Sequence, residues 1–265
     1  MSEATRKSIV VVGGGPAGAA ITRILSSTIN ASTTSLTLVT ARPFALHLPA
    51  CIRLTTTSEG KLEDTVLIPF DSLLVNGNGT ITIGRVTSIE TGEESTGSVV
   101  LSTGERIHYD FLVLAPGAEW EGPIAFPDDR AAVLEHIESW RRKFADANGI
   151  ILAGGGAVGC GMLFSLTLPW TYRLSPISEY AGEIKDAYPQ KKVTIVHSDS
   201  QLLNSTYPNK YRKEVEKSIV SRGVDIVFND YVDNVETLPA TTRSLRPLEG
   251  DLIVRYCNPP CVCHP

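Results

Sequence analysis

A block of ten residues occurs twice in this chain, and no other feature limits the fold so tightly. Ile9-Val10-Val11-Val12-Gly13-Gly14-Gly15-Pro16-Ala17-Gly18 returns 141 residues later as Ile150-Ile151-Leu152-Ala153-Gly154-Gly155-Gly156-Ala157-Val158-Gly159. Each copy is a short apolar run followed at once by G-x-G-x-x-G. Ser8–Val12 is apolar and β-branched, the pattern of a parallel strand buried on both faces. The stretch Ala19-Ala20-Ile21-Thr22-Arg23-Ile24-Leu25 then reads as a helix. In such a strand–turn–helix unit Gly13 permits the tight turn, Gly15 lets the backbone approach a pyrophosphate, and Gly18 lets helix and strand pack closely. The helix N-terminus adds free N–H groups and a positive dipole end.

Two such units imply two nucleotides, which suits a relay between a nicotinamide nucleotide and a flavin. A second strand, Leu36–Val39, closes the first unit, and its end is where an acid meets the ribose hydroxyls. That place holds Thr40, followed by Ala41 and Arg42, so ribose recognition falls to a weaker hydrogen-bonding group. The matching strand of the second unit, Val193–Val196, is followed by His197, Ser198 and Asp199. An acid there favours NAD and a nearby arginine NADP; His197 tolerates either nucleotide, or caps the strand end. Between the glycine blocks lies a β-rich stretch. Thr80–Val86 and Ser98–Leu101 alternate like half-buried strands, and Ile107–Asp110 leads into Phe111-Leu112-Val113-Leu114-Ala115-Pro116-Gly117.

Strand-GGGPAG, YDFLVLAPG over 109–117 and the second GGGAVG together resemble the two-dinucleotide-fold flavoprotein reductases. Arg42-Pro43-Phe44-Ala45-Leu46-His47-Leu48-Pro49-Ala50-Cys51-Ile52-Arg53 narrows the resemblance to the apoptosis-inducing-factor-like branch, near the ferroptosis-suppressor and type II NADH dehydrogenase proteins. The similarity runs from about residue 8 to about residue 254. It implies an α/β fold of two Rossmann-like FAD/NAD(P)-binding domains with a β-rich segment between the glycine motifs. The FAD-binding domain would span 1–124 and the NAD(P)H-binding domain 125–265.

By that resemblance Gly13, Gly14, Gly15, Pro16, Ala17 and Gly18 hold the FAD pyrophosphate, with Thr40 and Arg42 in the same site. Arg53 sits near the flavin side, with a solvated surface charge as its other reading, and the Val86 backbone meets the adenine. Ala115 and Gly117 match an A-T-G turn that passes close to FAD; Pro116 replaces its threonine and removes a hydroxyl and an N–H donor. Gly154, Gly156, Gly159, Glu179 and His197 serve NAD(P)H. His47 reads as a structural residue.

Disulfide reductases of this fold carry a C-x-x-x-x-C pair on the flavin domain, because their electrons leave through a dithiol. Here that region has Cys51 alone, so dithiol exchange is not expected; single-cysteine peroxide or CoA-disulfide chemistry is the remaining thiol route. Hydride transfer from NAD(P)H to FAD needs two aligned rings rather than an acid–base side chain, so no catalytic residue is assigned. The expected activity is that of an FAD-dependent NAD(P)H oxidoreductase passing electrons to a quinone or similar small acceptor. The rival readings are a non-catalytic truncated product with impaired flavin binding, and a death-promoting DNA binder. A net charge of −5 without any basic block opposes nucleic acid as a partner. No apolar run approaches the ~20 residues of a transmembrane segment, and no apolar signal core follows Met1, so a cytoplasmic location is expected, with peripheral membrane attachment as the variant. Cys257, Cys261, Cys263 and His264 form a terminal cluster without the paired ligand spacing of a zinc site, so no metal is expected. The oligomeric state is left open.

The two copies differ in length. Gly18 to Leu36 is 18 residues and Gly159 to Val193 is 34. The surplus falls on 161–178, where Pro169 and Pro176 would break a helix. Without those 18 residues the sequence reads GGGAVGC-EYAGEIK, a continuous helix with Glu179 in the place a G-x-G-x-x-G-x-E motif gives it. Eighteen codons keep the reading frame. Gly161-Met162 can encode a GTATG donor, and Ser178-Glu179 a CAG acceptor that regenerates Glu179 on splicing. Residues 161–178 are therefore expected to be a retained intron or gene-model error, the alternative being a surface insertion that docks a partner or membrane. Residues 255–265 likewise match nothing in the family, so the C-terminal part of the fold is expected to be missing.

Overall fold

The computed structural model describes residues 6–92, 96–156, 179–233 and 241–255. The chain divides into two compact units: Met1–His47, Glu63–Ala118 and Pro127–Val133 in the first, and Leu48–Leu62, Glu119–Phe126 and Leu134–Pro265 in the second.

In the first unit the glycine block folds as its pattern predicts, with β1 (Lys7–Val12), α1 (Pro16–Thr28) and β2 (Thr34–Thr40). β3 (Phe44–Leu46) and β4 (Leu67–Pro69) pair antiparallel. β5 (Thr80–Ile83) follows, then the antiparallel meander of β6 (Val86–Thr91), β7 (Gly97–Leu101) and β8 (Arg106–Tyr109), and last β9 (Phe111–Leu114). The main sheet has the order β5-β2-β1-β9, parallel throughout. Successive residues of β1 serve opposite faces. Val10 packs with Val99, Leu101 and Tyr109 of the meander, and Val11 with Ile21 and Leu25 of α1. Both residues are fully buried, each contributing about 1.5–3 kcal/mol.

One strand departs from its sequence reading. Thr80–Val86 alternates as a single run, yet Thr80–Ile83 is the third strand of the parallel sheet and Val86 opens the meander. The break is at Gly84, whose N–H donates to the Thr40 carbonyl at 2.8 Å. A Cβ there would stand 2.9 Å from Leu101 Cδ1. Alternation reports half-burial, and it does not say which sheet buries the residue.

The second unit contains α2 (Leu48–Thr56), most of α3 (Arg130–Asp146), β10 (Gly149–Ala153), α4 (Glu179–Ala187), β11 (Lys192–His197), α5 (Asn209–Ser221), β12 (Val224–Phe228), the short pair β13 (Val232–Asp233) and β14 (Thr241–Thr242), and β15 (Leu252–Val254). Its parallel sheet has the order β12-β11-β10-β15, the same winding as the first. Ile151, Val196 and Val227 form the core on one face. On α4, fully buried Tyr180 stacks on Phe144 of α3, with ring centroids 5.8 Å apart. Its hydroxyl lies 2.8 Å from Thr55 Oγ1 of α2. The stretch 161–178 and residues 256–265 of the tail lie outside the described residues.

Candidate functional site

The first glycine turn leaves β1 at its carboxyl end, between β1 and β9, where the strand order reverses. Open α/β sheets bind ligands at such a switch point. Gly13 has φ +105° and its N–H donates to the Val39 carbonyl at 2.8 Å. A Cβ on Gly13 would stand 2.1 Å from the Ala115 carbonyl oxygen, and one on Gly18 would stand 1.8 Å from the Gly13 carbonyl oxygen. Gly15 is different: a Cβ there would meet nothing within 4 Å among the described residues. Gly15 is also the N-cap of α1, with no side-chain hydrogen bond on the cap, no acid in the first turn, and Pro16 at the start. Gly13 and Gly18 are thus held by packing, whereas Gly15 faces open space beside an uncapped helix N-terminus. That is the cradle a pyrophosphate requires, and Gly14, Pro16 and Ala17 are its backbone.

Around the turn, the Ala115 N–H donates to the Val12 carbonyl at 2.8 Å, which ties the segment after β9 to β1. Gly117 has φ +75°. Buried Thr40 lies under Gly14, where a Cβ would stand 2.5 Å from Thr40 Oγ1. The Thr40 hydroxyl donates to the Arg42 carbonyl at 3.2 Å. Arg42 itself is engaged elsewhere: Nε donates to the Pro127 carbonyl at 2.9 Å and lies 3.5 Å from Asp128, which Arg85 also pairs. Val86 opens the meander opposite Leu101. Arg53 is on α2 in the second unit, where its Nε donates to Glu183 Oε2 of α4 at 2.7 Å. Burial pushes the Glu183 carboxyl up, and Arg53 offsets part of that rise. Cys51, on the same helix, is fully buried.

The second turn repeats the backbone. Gly154 has φ +115° and its N–H donates to the Val196 carbonyl at 2.8 Å. A Cβ on Gly156 would meet nothing within 4 Å among the described residues. The residue beneath the middle glycine is His197: the Gly155 N–H donates to its Nδ1 at 3.0 Å. His197 is 9% exposed, and among the described residues its buried Nε2 has no partner at ordinary hydrogen-bond distance. Burial holds the imidazole pKa below its usual value; Asp199 and the Gln201 backbone pull it up, and Arg212 pushes it down. Glu179 opens α4, and Gly159 lies outside the described residues. The first cradle fits the pyrophosphate of a dinucleotide, and the described part of the second turn, Gly154–Gly156, repeats its backbone.

Sequence reasoning missed a pair of aspartates. Asp110 stands just before β9 and accepts from the Ser8 N–H at 2.6 Å and from Lys7 Nζ at 3.1 Å. Asp251 stands just before β15 and accepts from the Asn148 N–H at 3.0 Å and Asn148 Nδ2 at 2.7 Å. In each unit an acid before the fourth strand therefore ties down the start of the first, which aligns the strands flanking the switch point. The signal was present as an aspartate ahead of an apolar run in YDFLVL and GDLIV. No group of metal-ligating residues occurs among the described residues. No helix among them is long and apolar enough to cross a membrane.

Comparison with known proteins gives the same picture. The family described as pyridine nucleotide-disulphide oxidoreductase matches residues 7–254. The FAD-dependent oxidoreductase FVFD30 of Flammulina velutipes is 41% identical over 197 residues, covering 73% of this chain and 56% of that protein. Apoptosis-inducing factor homolog B of Dictyostelium discoideum is 26% identical over 269 residues, covering 94% of this chain and 63% of that protein. Among solved structures, reduced Bacillus anthracis CoADR-RHD superposes with a TM-score of 0.68 at 19% identity, covering 94% of this chain and 43% of that one. The chain thus spans somewhat over half the length of these two curated relatives.

Proposed function

The chain belongs to the pyridine nucleotide-disulphide oxidoreductase family, and from that premise we propose that it is an FAD-dependent NAD(P)H oxidoreductase of the apoptosis-inducing-factor-like type. The observation that carries the reading is the duplicated turn: two glycine turns on two sheets of identical winding, each with its third glycine facing open space among the described residues. In this reading the turn at Gly13–Gly18 takes FAD and the turn at Gly154–Gly159 takes NAD(P)H. When bound, the two cofactors supply hydride transfer from nicotinamide to flavin.

The chain's own residues bind and orient. The N–H groups at the start of α1 receive the pyrophosphate, and Gly13 and Gly18 keep the turn tight enough to present them. Thr40 supports the middle glycine from below. Ala115 and Gly117 carry the backbone past the cradle. In the second unit Gly154, Gly156 and His197 set the matching turn, and Glu179 begins the helix beyond it.

The acceptor is proposed to be a quinone or similar small oxidant. A dithiol route has little support, since Cys51 is buried inside α2 and has no partner cysteine in C-x-x-x-x-C spacing. The test is the absorption spectrum of the purified chain, followed by anaerobic titration with NADH and NADPH and then a soluble quinone. The expected result is a yellow protein, bleached by a nicotinamide nucleotide and recoloured by the quinone. A colourless chain that releases no flavin on denaturation ends the reading for this polypeptide and favours a non-catalytic product. Flavin that bleaches but is not reoxidised by quinone keeps the oxidoreductase and removes that acceptor.

A further inference from the structure

The imidazole at the end of β11 has one nitrogen committed to the glycine turn, while the other is buried on the side of Asp199 and the Gln201 backbone. We propose that His197 is the positioning residue of the second turn: neutral, it holds the Gly155 N–H so that the turn is set to receive a nicotinamide dinucleotide, and protonated, it lets go. This rests on the reading that the second turn takes NAD(P)H.

A backbone N–H donates to Nδ1, so Nδ1 is the acceptor and the proton of the neutral ring sits on Nε2. Protonation puts a second hydrogen on Nδ1, and two donors then face each other across 3.0 Å. The turn cannot relieve this by rotating alone, because the Gly154 N–H is held by Val196 at 2.8 Å and the Gly155 carbonyl by the Leu203 N–H at 2.9 Å. Space is short as well: a Cβ on Gly155 would stand 2.8 Å from His197 Cγ and 2.7 Å from Leu202 Cδ2. Either the ring or the turn must move.

Two charged groups act on this ring, and a third, Asp230, touches only the residue's backbone. Asp199 Oδ2 lies 3.9 Å from Nε2 and favours the cation. Arg212 of α5 opposes it, although its guanidinium is occupied by the carbonyls of Gln201, Leu202 and Leu203. Asp230 follows β12, and its N–H donates to the His197 carbonyl at 3.2 Å. Its carboxylate is spent on Ser244 and the Tyr231 N–H. Burial, the largest influence, keeps the ring neutral at neutral pH. The latch is therefore closed at and above the ordinary histidine pKa and opens only as pH falls below it.

The experiment measures NADH affinity by nucleotide fluorescence on the full chain, between about pH 8 and about pH 5. In parallel it follows the Gly155 amide and the His197 ring by NMR without nucleotide. Wild type is expected to hold constant affinity above about pH 7 and to lose about tenfold by about pH 5. The Gly155 amide should shift with the same midpoint as the ring. His197→Asn keeps an acceptor oxygen near the Nδ1 position and does not titrate, so its affinity should be flat with pH; His197→Leu should bind weakly throughout. An acid loss that persists in His197→Asn, or a Gly155 amide that ignores the ring titration, overturns the latch. Absence of binding at pH 8 to both NADH and NADPH, with the amide still titrating, instead overturns the nucleotide reading and removes the proposed role with it.

Discussion

At the first glycine turn the middle glycine rests on Thr40, and at the second it rests on His197. The two residues occupy the same register, each ending the strand beside the glycine strand, and the turns share their backbone hydrogen bond to that strand at 2.8 Å. Threonine does not titrate, and its hydroxyl is directed to the Arg42 carbonyl. Histidine takes the glycine N–H itself. One motif thus specifies one backbone, while the group that holds it is set by a residue some twenty positions or more downstream that the motif does not mention.

Substitution inside the turns should separate glycines held against backbone from glycines held against side chains. Gly13→Ala drives a Cβ onto the Ala115 carbonyl at 2.1 Å in a φ of +105°, where no flexible side chain can give way. A loss of about 3 kcal/mol or more is expected, read as a large drop in thermal midpoint and in folded yield. Gly155→Ala meets the side chains of Leu202 and His197, which can repack, so about 1–3 kcal/mol is expected. Equal losses would mean that the side chains beneath Gly155 give way no more readily than the Ala115 backbone against Gly13.

The third glycines should report ligand rather than fold. Gly15→Ala and Gly156→Ala place a methyl where the described structure has nothing within 4 Å, so the thermal midpoint without cofactor should barely move. Flavin retention should fall for the first and NADH affinity for the second, each by about tenfold or more, equivalent to about 1.4 kcal/mol. A variant that keeps its nucleotide would place the pyrophosphate elsewhere.

Acid should affect the two sites differently. With Thr40 beneath its turn, flavin retention should be flat between about pH 7.5 and about pH 5.5, the window of an imidazole. Nicotinamide nucleotide affinity should hold over the upper part of that window and fall at its acid end and below. Burial lowers the folded His197 pKa, so the folded state disfavours the proton. The stability this adds is present above the ordinary histidine pKa and is lost as pH falls toward the folded value. Parallel decline of both affinities would point to general acid loosening instead of one imidazole.

Much of this was legible because strand, turn and helix signals lie next to each other in the chain. The strand 8–12, the glycine turn and the helix after it are local, and their periodicities differ. What was not legible depended on partners far away in sequence. Thr80–Val86 reads as one strand because alternation is blind to which sheet does the burying. Arg53, read as near the flavin, pairs with Glu183 across 130 positions, and Arg42 is taken up by Pro127 and Asp128. The contact of His197 with Gly155 joins residues 42 apart; strand-end position alone suggested a ribose contact or a cap.

The aspartates before the fourth strands give the finest version of the comparison. Asp110 is held below the usual carboxylate range chiefly by the Ser8 N–H, with Lys7 adding to it. For Asp251 burial pushes upward, but the Asn148 backbone and side-chain donors outweigh it and the pKa again falls. A lowered acid adds stability above its unfolded pKa and loses it as pH drops through the folded value. Both clamps should therefore weaken below about pH 4. Asp110→Asn and Asp251→Asn should each shrink the acid-induced loss of thermal midpoint by a small amount, since each replaces one clamp with a group that does not titrate. Salt tells them apart. Lys7 is largely exposed, so its pull on Asp110 is screened by added salt. The partners of Asp251 are uncharged amides, so its clamp should be indifferent to salt. If salt weakens both equally, Lys7 is not part of the Asp110 clamp, and the two devices are the same backbone clasp used twice.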